Sequence, residues 1–331
     1  MEKKILTLAF ALLLGIILLS ACLGESTECP LEVSQTAGVI IDRFQPSYDL
    51  VPVNGTVTLQ MDLKNKGTAL AEDVTARMWS YGGFYTNETE AIQGPFTLNP
   101  ADLSVCSAGD TIPVQWTLRA GCDPRGVTLS AYVDYTYTSE SHATILLASQ
   151  EEAEKIRGEF TGDFTSGQNV PSAGPIQVEV TALQNEPIII SPTTKILDIR
   201  IKFRNVGMGL AGDQGNGQID QVELLVEGPC KFLSQNDKTK KSKTLLWNWD
   251  WDSDDDPPLL RSGSQEAFKI TSLEYDGDPD LLVRDYCTIR ATAKYNYRVI
   301  KATEGEVGIT GTQCQVCMCR HNDISKCTNV C

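Results

Sequence analysis

Hydrophobic and polar residues alternate strictly over Thr56 to Lys64, which reads T-V-T-L-Q-M-D-L-K. Val57, Leu59, Met61 and Leu63 face one way, and Thr58, Gln60, Asp62 and Lys64 the other, the signature of a half-buried strand. Leu197, Ile199, Ile201 and Phe203 alternate with Asp198, Arg200, Lys202 and Arg204 in the same way. Both segments run into a matching turn, Asn65-Lys66-Gly67-Thr68-Ala69-Leu70-Ala71 and Asn205-Val206-Gly207-Met208-Gly209-Leu210-Ala211, at an offset of 140 (205 − 65). Glycine ends a strand by tolerating positive φ, and asparagine closes a turn through its side chain. A second match follows in the same order. Leu129, Ala131, Val133, Tyr135 and Tyr137 correspond to Ile289, Ala291, Ala293, Tyr295 and Tyr297, at an offset of 160 (289 − 129). Two in-register matches in one order mean an internal repeat, and the change of offset means longer loops in the second copy.

Helix signals are sparse. Glu151 to Arg157 has the composition for about two turns and opens a linker rich in Gly, Ser and Pro through Gly174. The pattern therefore predicts an all-β chain of two tandem β-sandwiches, at 37–149 and 175–312, joined by a linker at 150–174 and ending in a Cys-rich tail at 313–331. A strand leading into N-x-G-x-x-x-A, then Ala108-Gly109-Asp110 or Ser262-Gly263-Ser264 before another strand, resembles the CARDB family of cell-adhesion-related, immunoglobulin-like domains. The likeness covers about 110 residues of each copy, close to the size of such a sandwich. It implies modular spacers or binding units without shared catalytic residues.

The N-terminus has a different pattern. Lys3 and Lys4 precede an apolar run from Ile5 to Ile17 interrupted by Thr7 and Gly15, and Ser20-Ala21 stand before Cys22. This is a secretory signal in outline. Leu19-Ser20-Ala21-Cys22 resembles the lipobox of prokaryotic lipoproteins, which implies a signal peptide at 1–21, lipidation of Cys22, and an anchored segment at 22–36. The expected location is extracytoplasmic, tied to the membrane and facing outward. Asn54-Gly55-Thr56 and Asn87-Glu88-Thr89 are glycosylation sequons that suit surface loops of an exported chain.

Composition narrows the partners. The 331 residues, 41% hydrophobic, suffice for two cores, and the net charge of −15 argues against nucleic acid, which needs clustered Lys and Arg. With Cys22 set aside, ten of the eleven cysteines remain, an even number that in an exported chain reads as disulfides. Cys106 and Cys122 flank the segment Ile112 to Arg119 and suggest a local bridge. Cys230 and Cys287 fall in the second copy. The tail packs Cys314, Cys317, Cys319, Cys327 and Cys331 together. It reads as a disulfide knot rather than a zinc site, with Cys29 as its sixth member.

Two loops carry candidate chemistry. Gln214 to Glu223 resembles the later part of a calcium loop, with Asn216, Asp220 and Glu223 as ligands, but Gly212 and Gln214 stand where carboxylates belong. The alternative is a glycine-driven polar hairpin, and no resident cofactor is expected. In Trp247-Asn248-Trp249-Asp250-Trp251-Asp252-Ser253-Asp254-Asp255-Asp256 the three tryptophans share one strand face. That face is either core or an aromatic platform for a glycan or protein, with Asp252, Asp254 and Asp256 as weak cation candidates. Only two histidines occur, and no nucleophile motif accompanies them. The chain reads as a non-catalytic binding or adhesion protein, or else as an accessory subunit of an envelope assembly.

Overall fold

The computed structural model describes residues 33–86, 91–102, 104–159, 170–171, 174–233, 240–248, 259–260, 266–322 and 326–327. The expected signal peptide, Cys22, Cys29, Asn87, Trp249, Trp251, Asp252, Asp254, Asp256 and Cys331 lie outside the described residues. The first half contains β1 (Val39–Pro46), β2 (Leu50–Pro52), β3 (Thr56–Asn65), β4 (Ala71–Ser80), β5 (Phe84–Tyr85), β6 (Ile92–Leu98), β7 (Thr111–Ala120), β8 (Arg125–Val127) and β9 (Ser130–Ala148). Helix α1 (Gln150–Glu159) and β10 (Val170–Pro171) follow. The second half contains β11 (Ile176–Ala182), β12 (Ile188–Ile189), β13 (Ile196–Asn205), β14 (Leu210–Ala211), β15 (Gln221–Glu227), β16 (Cys230–Leu233), β17 (Lys241–Ser242), β18 (Thr244–Asn248), β19 (Glu266–Tyr275) and β20 (Arg284–Ala302). The chain closes with β21 (Val307–Thr310) and α2 (Gln313–His321).

The fold is all-β, and the two alternating segments are strands β3 and β13. Val57, Leu59, Met61 and Leu63 are buried on β3, and Leu197, Ile199, Ile201 and Phe203 on β13. In the first half the sheet β1-β3-β7-β5 supplies one layer, with Phe44 and Trp116 meeting edge to face at 6.3 Å between centroids. In the second half the sheet β11-β13-β19-β16-β17 does the same.

The opposing layer is shared. A nine-stranded sheet in the order β18-β15-β20-β9-β4-β6 runs through both halves, with β10, β12 and β14 attached to its side. Its spine is an antiparallel ladder in which β9 and β20, each 19 residues long, pair from Ser130↔Ala302 to Ala148↔Arg284. Within that ladder Thr136 lies opposite Asn296, a separation of 160 (296 − 136) and the same offset that relates the repeats. This pair is therefore its own mate, and an approximate twofold axis passes through it, as in a symmetric dimer interface. The Thr136 hydroxyl donates to Asn296 Oδ1 at 2.8 Å.

This sharing alters the expected division of the chain. The two sandwiches are joined by a continuous sheet, and each sends an edge strand toward the other's half of it, with β11 contacting β9 and β1 contacting β20. Within 150–174 the described residues form α1 and β10, the latter paired to Ser141–His142. Strand β21, within the span expected for the second sandwich, inserts between β2 and β8 of the first half. Val51, Val307 and Ile309 are buried there, so β21 closes one end of the first core.

The cysteines follow from this path. Strand β21 delivers α2 beside the end of β7, where Cys122 bonds Cys319 and Arg320 pairs with Asp123. The local Cys106–Cys122 bridge is thus corrected: Cys122 is taken by the tail. Cys230 bonds Cys287, tying β16 of one layer to β20 of the other, and Cys317 bonds Cys327 within the tail. Cys106 and Cys314 are also in disulfides. Thr312 and Gln315 form a capping box that starts α2, a helix the Cys-rich composition concealed.

Candidate binding face and the tyrosine junction

The repeated N-x-G turn is a tyrosine-closed corner in both halves. Asn65 Nδ2 donates to the carbonyls of Ala69 (2.9 Å) and Leu98 (3.0 Å), and its Oδ1 accepts from Gly67 N–H at 3.0 Å. Tyr137 Oη accepts from Ala69 N–H at 3.1 Å. In the second half Asn205 Nδ2 donates to Gly209 O at 3.0 Å, and Asn205 Oδ1 accepts from Gly207 N–H at 3.2 Å and from the Tyr297 hydroxyl at 2.9 Å. Tyr297 Oη accepts from Gly209 N–H at 2.9 Å. The glycines are required by space: a Cβ on Gly67 or Gly207 would overlap the hydroxyl of Tyr137 or Tyr297. The spacing in the sequence is thus a steric and hydrogen-bonding unit that pins each front sheet to the shared ladder.

At the axis, Tyr135, Tyr137, Tyr295 and Tyr297 pack together with centroids 5.8 to 6.3 Å apart. All four are buried. Burial raises each hydroxyl's pKa, because the phenolate loses its hydration; Tyr297 is pushed up to about 12.

The opposite face of the ladder carries an aromatic cluster whose Trp79 end is exposed. Trp79, on β4, is 58% exposed and meets Tyr132 of β9 edge to face at 5.9 Å. The Arg298 guanidinium of β20 lies 4.1 Å from the Tyr132 ring centroid. Arg298 is held in place by a bidentate pair with Asp134 at 2.6 and 2.8 Å. Ile300, partner of Tyr132 in the ladder, is also exposed. Three strands of one sheet therefore present Trp79, Tyr132 and Arg298 in a fixed chain of contacts. A groove of about 420 Å³ adjoins Tyr132, lined also by Arg77, Tyr81 and Tyr85. Trp, Tyr and Arg are the side chains that dominate binding energy at interfaces.

The expected Trp face divides differently. Trp247 is fully buried on β18, with Lys269 Nζ stacked 4.9 Å from its ring, so at this position the strand face is core. The platform expectation is corrected there, and Trp249 and Trp251 lie outside the described residues. The exposed Trp79 escaped the sequence reading because it sits alone, one residue from buried Met78, where a β-bulge between Met78 and Ser80 breaks the register.

The candidate calcium loop closes on itself. Gly212, Gly215 and Gly217 all have positive φ (81°, 78° and 86°), and Asn216 Oδ1 accepts from Gln218 N–H at 2.9 Å while its amide donates to Gln218 Oε1 at 3.0 Å. Burial raises the pKa of Asp220. Glu223 faces out from β15. Among the described residues no three His, Cys, Asp or Glu side chains gather as a metal site. Asn54 is exposed in a turn with φ 63°, and its Oδ1 accepts from Arg119 Nε at 2.7 Å.

No family model matches the chain, and no curated protein matches it significantly.

Proposed function

We propose that this chain is an outward-facing, lipid-anchored binding or adhesion protein without catalytic activity, and that Trp79, Tyr132 and Arg298 form its contact face for a protein or glycan of the cell surface. The observation that carries the reading is exposed Trp79 held against half-buried Tyr132 and Arg298 on a rigid, disulfide-tied sheet. Rigid aromatic anchors lose little conformational entropy on binding, so such a face is pre-organised. The lipobox-like end at Cys22 and the resemblance to CARDB domains support the location and the modular role. His142 pairs with Glu140 at 2.8 Å, and His321 ends α2.

Trp79→Ala in the full-length protein should abolish capture of its ligand in a glycan and surface-protein array, while shifting thermal stability by less than about 1 kcal/mol, as for an exposed site. Retained capture at wild-type strength would reject this face. Cys22→Ser should release the protein from membranes into the medium, and mass spectrometry of the mature N-terminus should find acylation at Cys22 in the wild type.

A further inference from the structure

The approximate twofold axis relates two places that ought to look alike and do not. In the second half Tyr295 Oη is fully used: it accepts from Ile176 N–H at 3.2 Å and shares a hydrogen bond of 2.8 Å with Ser139 Oγ. Its mate is Tyr135, and the mate of Ser139 is Val299, at the offset of 160 (299 − 139). Val39 stands for Ile176, since Val39 pairs with Asn65 as Ile176 pairs with Asn205. The Val39 amide lies beside the Tyr135 hydroxyl, but Val299 offers nothing to accept its proton. Among the described residues the buried Tyr135 hydroxyl therefore has the Val39 amide beside it but no acceptor for its own proton.

The second difference is space. On the Tyr295 side, linker strand β10 pairs with Ser141–His142, and Gly174 packs against Tyr137 and Ser139. The mate of Ser141 is Lys301, and no described strand pairs with β20 there on the side away from β9. A pocket of about 320 Å³ lies in this region, between β1, the Val206–Gly209 turn and the end of β20. Val39, Ile41, Val206, Met208 and Val299 give it apolar walls, and Tyr135 is the aromatic member of its lining together with Tyr297. Lys301 at the rim already donates to Ile41 O at 3.1 Å and Asp42 O at 3.4 Å, so it does not offer an uncommitted cation.

We infer that this pocket binds a small, neutral, mainly apolar molecule carrying one hydrogen-bond acceptor, a ketone or ester, whose oxygen accepts the proton of Tyr135. The size lies within the range of small-ligand sites, and a few placed polar groups in apolar walls are their usual make-up. An unpaired buried hydroxyl costs free energy, and a ligand acceptor recovers it. The site is separate from the Trp79 face and holds or fails independently of it.

The probes are acetophenone and its carbonyl-free analogue ethylbenzene, titrated into the full-length protein with backbone amide NMR. Saturable shifts are expected at Gly38, Val39 and Gly207, with acetophenone binding about tenfold more tightly, the worth of one hydrogen bond. Tyr135→Phe should bring the two probes to equal affinity. Val299→Ser should do the same while keeping the tyrosine, because it restores the acceptor that Tyr295 has, and it carries the test if Tyr135→Phe does not fold. Tyr295→Phe, the symmetry mate, should leave the preference intact. The inference is overturned if neither probe shifts these amides, or if the preference for acetophenone survives in both Tyr135→Phe and Val299→Ser.

Discussion

The two halves are built alike where they hold the fold and differ where they meet something else. Asn65 and Asn205 close the same corner against Tyr137 and Tyr297. Around the shared axis the likeness stops. Tyr132 and Arg298 hold exposed Trp79 in a ring-and-cation cluster, whereas the residues related to them by 160, Thr292 and Thr138, carry no ring or charge. Ser139 satisfies one buried tyrosine, and Val299 leaves its mate unsatisfied. The second half has a disulfide between its own layers, while the first is bonded to the C-terminal tail. A repeated chain under one set of packing demands keeps its corners, and its departures from symmetry are where a site is free to arise.

The largest test cuts the comparison in two. Residues 33–149 expressed alone expose the whole edge of β9 and lack β21. This fragment should give no cooperative monomeric transition by circular dichroism, and light scattering should show either an unfolded chain or a dimer. A stable monomeric half would mean that the shared ladder is only a contact between two finished domains. Next in size, replacing Cys230 and Cys287 together by serine opens a loop of 57 residues and should cost about 3–4 kcal/mol in urea denaturation. If the halves are one unit, the entire transition moves.

The buried tyrosines come third. Their folded pKa values lie above that of an exposed tyrosine near 10, so their contribution is fully present below about pH 10. It is lost as the unfolded chain begins to ionise and the pH rises toward the folded values. For Tyr297, pushed up to about 12, the loss by pH 12 is about 2–3 kcal/mol. Tyrosinate absorbance at 295 nm should show Tyr135, Tyr137, Tyr295 and Tyr297 ionising only with unfolding. Ionisation of these four while the protein is still folded would show the junction to be open to water.

Much of this architecture was legible in the sequence. Alternation marked β3 and β13, and the offsets of 140 and 160 marked the corner and the tyrosine strands. The pairing of β9 with β20 was not legible. Buried Ser139 and Ser141 hide the inward face of β9 beyond Tyr137, so the hydrophobic alternation breaks off nine residues into a strand of 19. Nor does a strand's own pattern say which other strand it meets. The disulfide partners of Cys122 depend on where β21 carries the tail, a long-range event with no local signal. Trp79 carries no local signal for a similar reason: a single exposed tryptophan acquires meaning only from Tyr132 and Arg298, which lie on other strands.

The smallest effect is the most discriminating. Asn65 is fully buried and makes three hydrogen bonds to backbone, whereas Asn205 is half-buried and makes two to backbone and one to Tyr297. Asn65→Ala strands more buried polar groups, so it should cost about 2–3 kcal/mol and Asn205→Ala about 1 kcal/mol less. The difference is read from the urea midpoints, with the slopes unchanged. The shape of the curves matters as much as their positions. In a protein whose halves share β9 and β20, each substitution displaces one common transition, whether followed by the buried Trp116 of the first half or the buried Trp247 of the second. If Asn205→Ala moved only the second-half signal, the shared sheet would not couple the halves, and the corners would be equivalent parts of two separate machines.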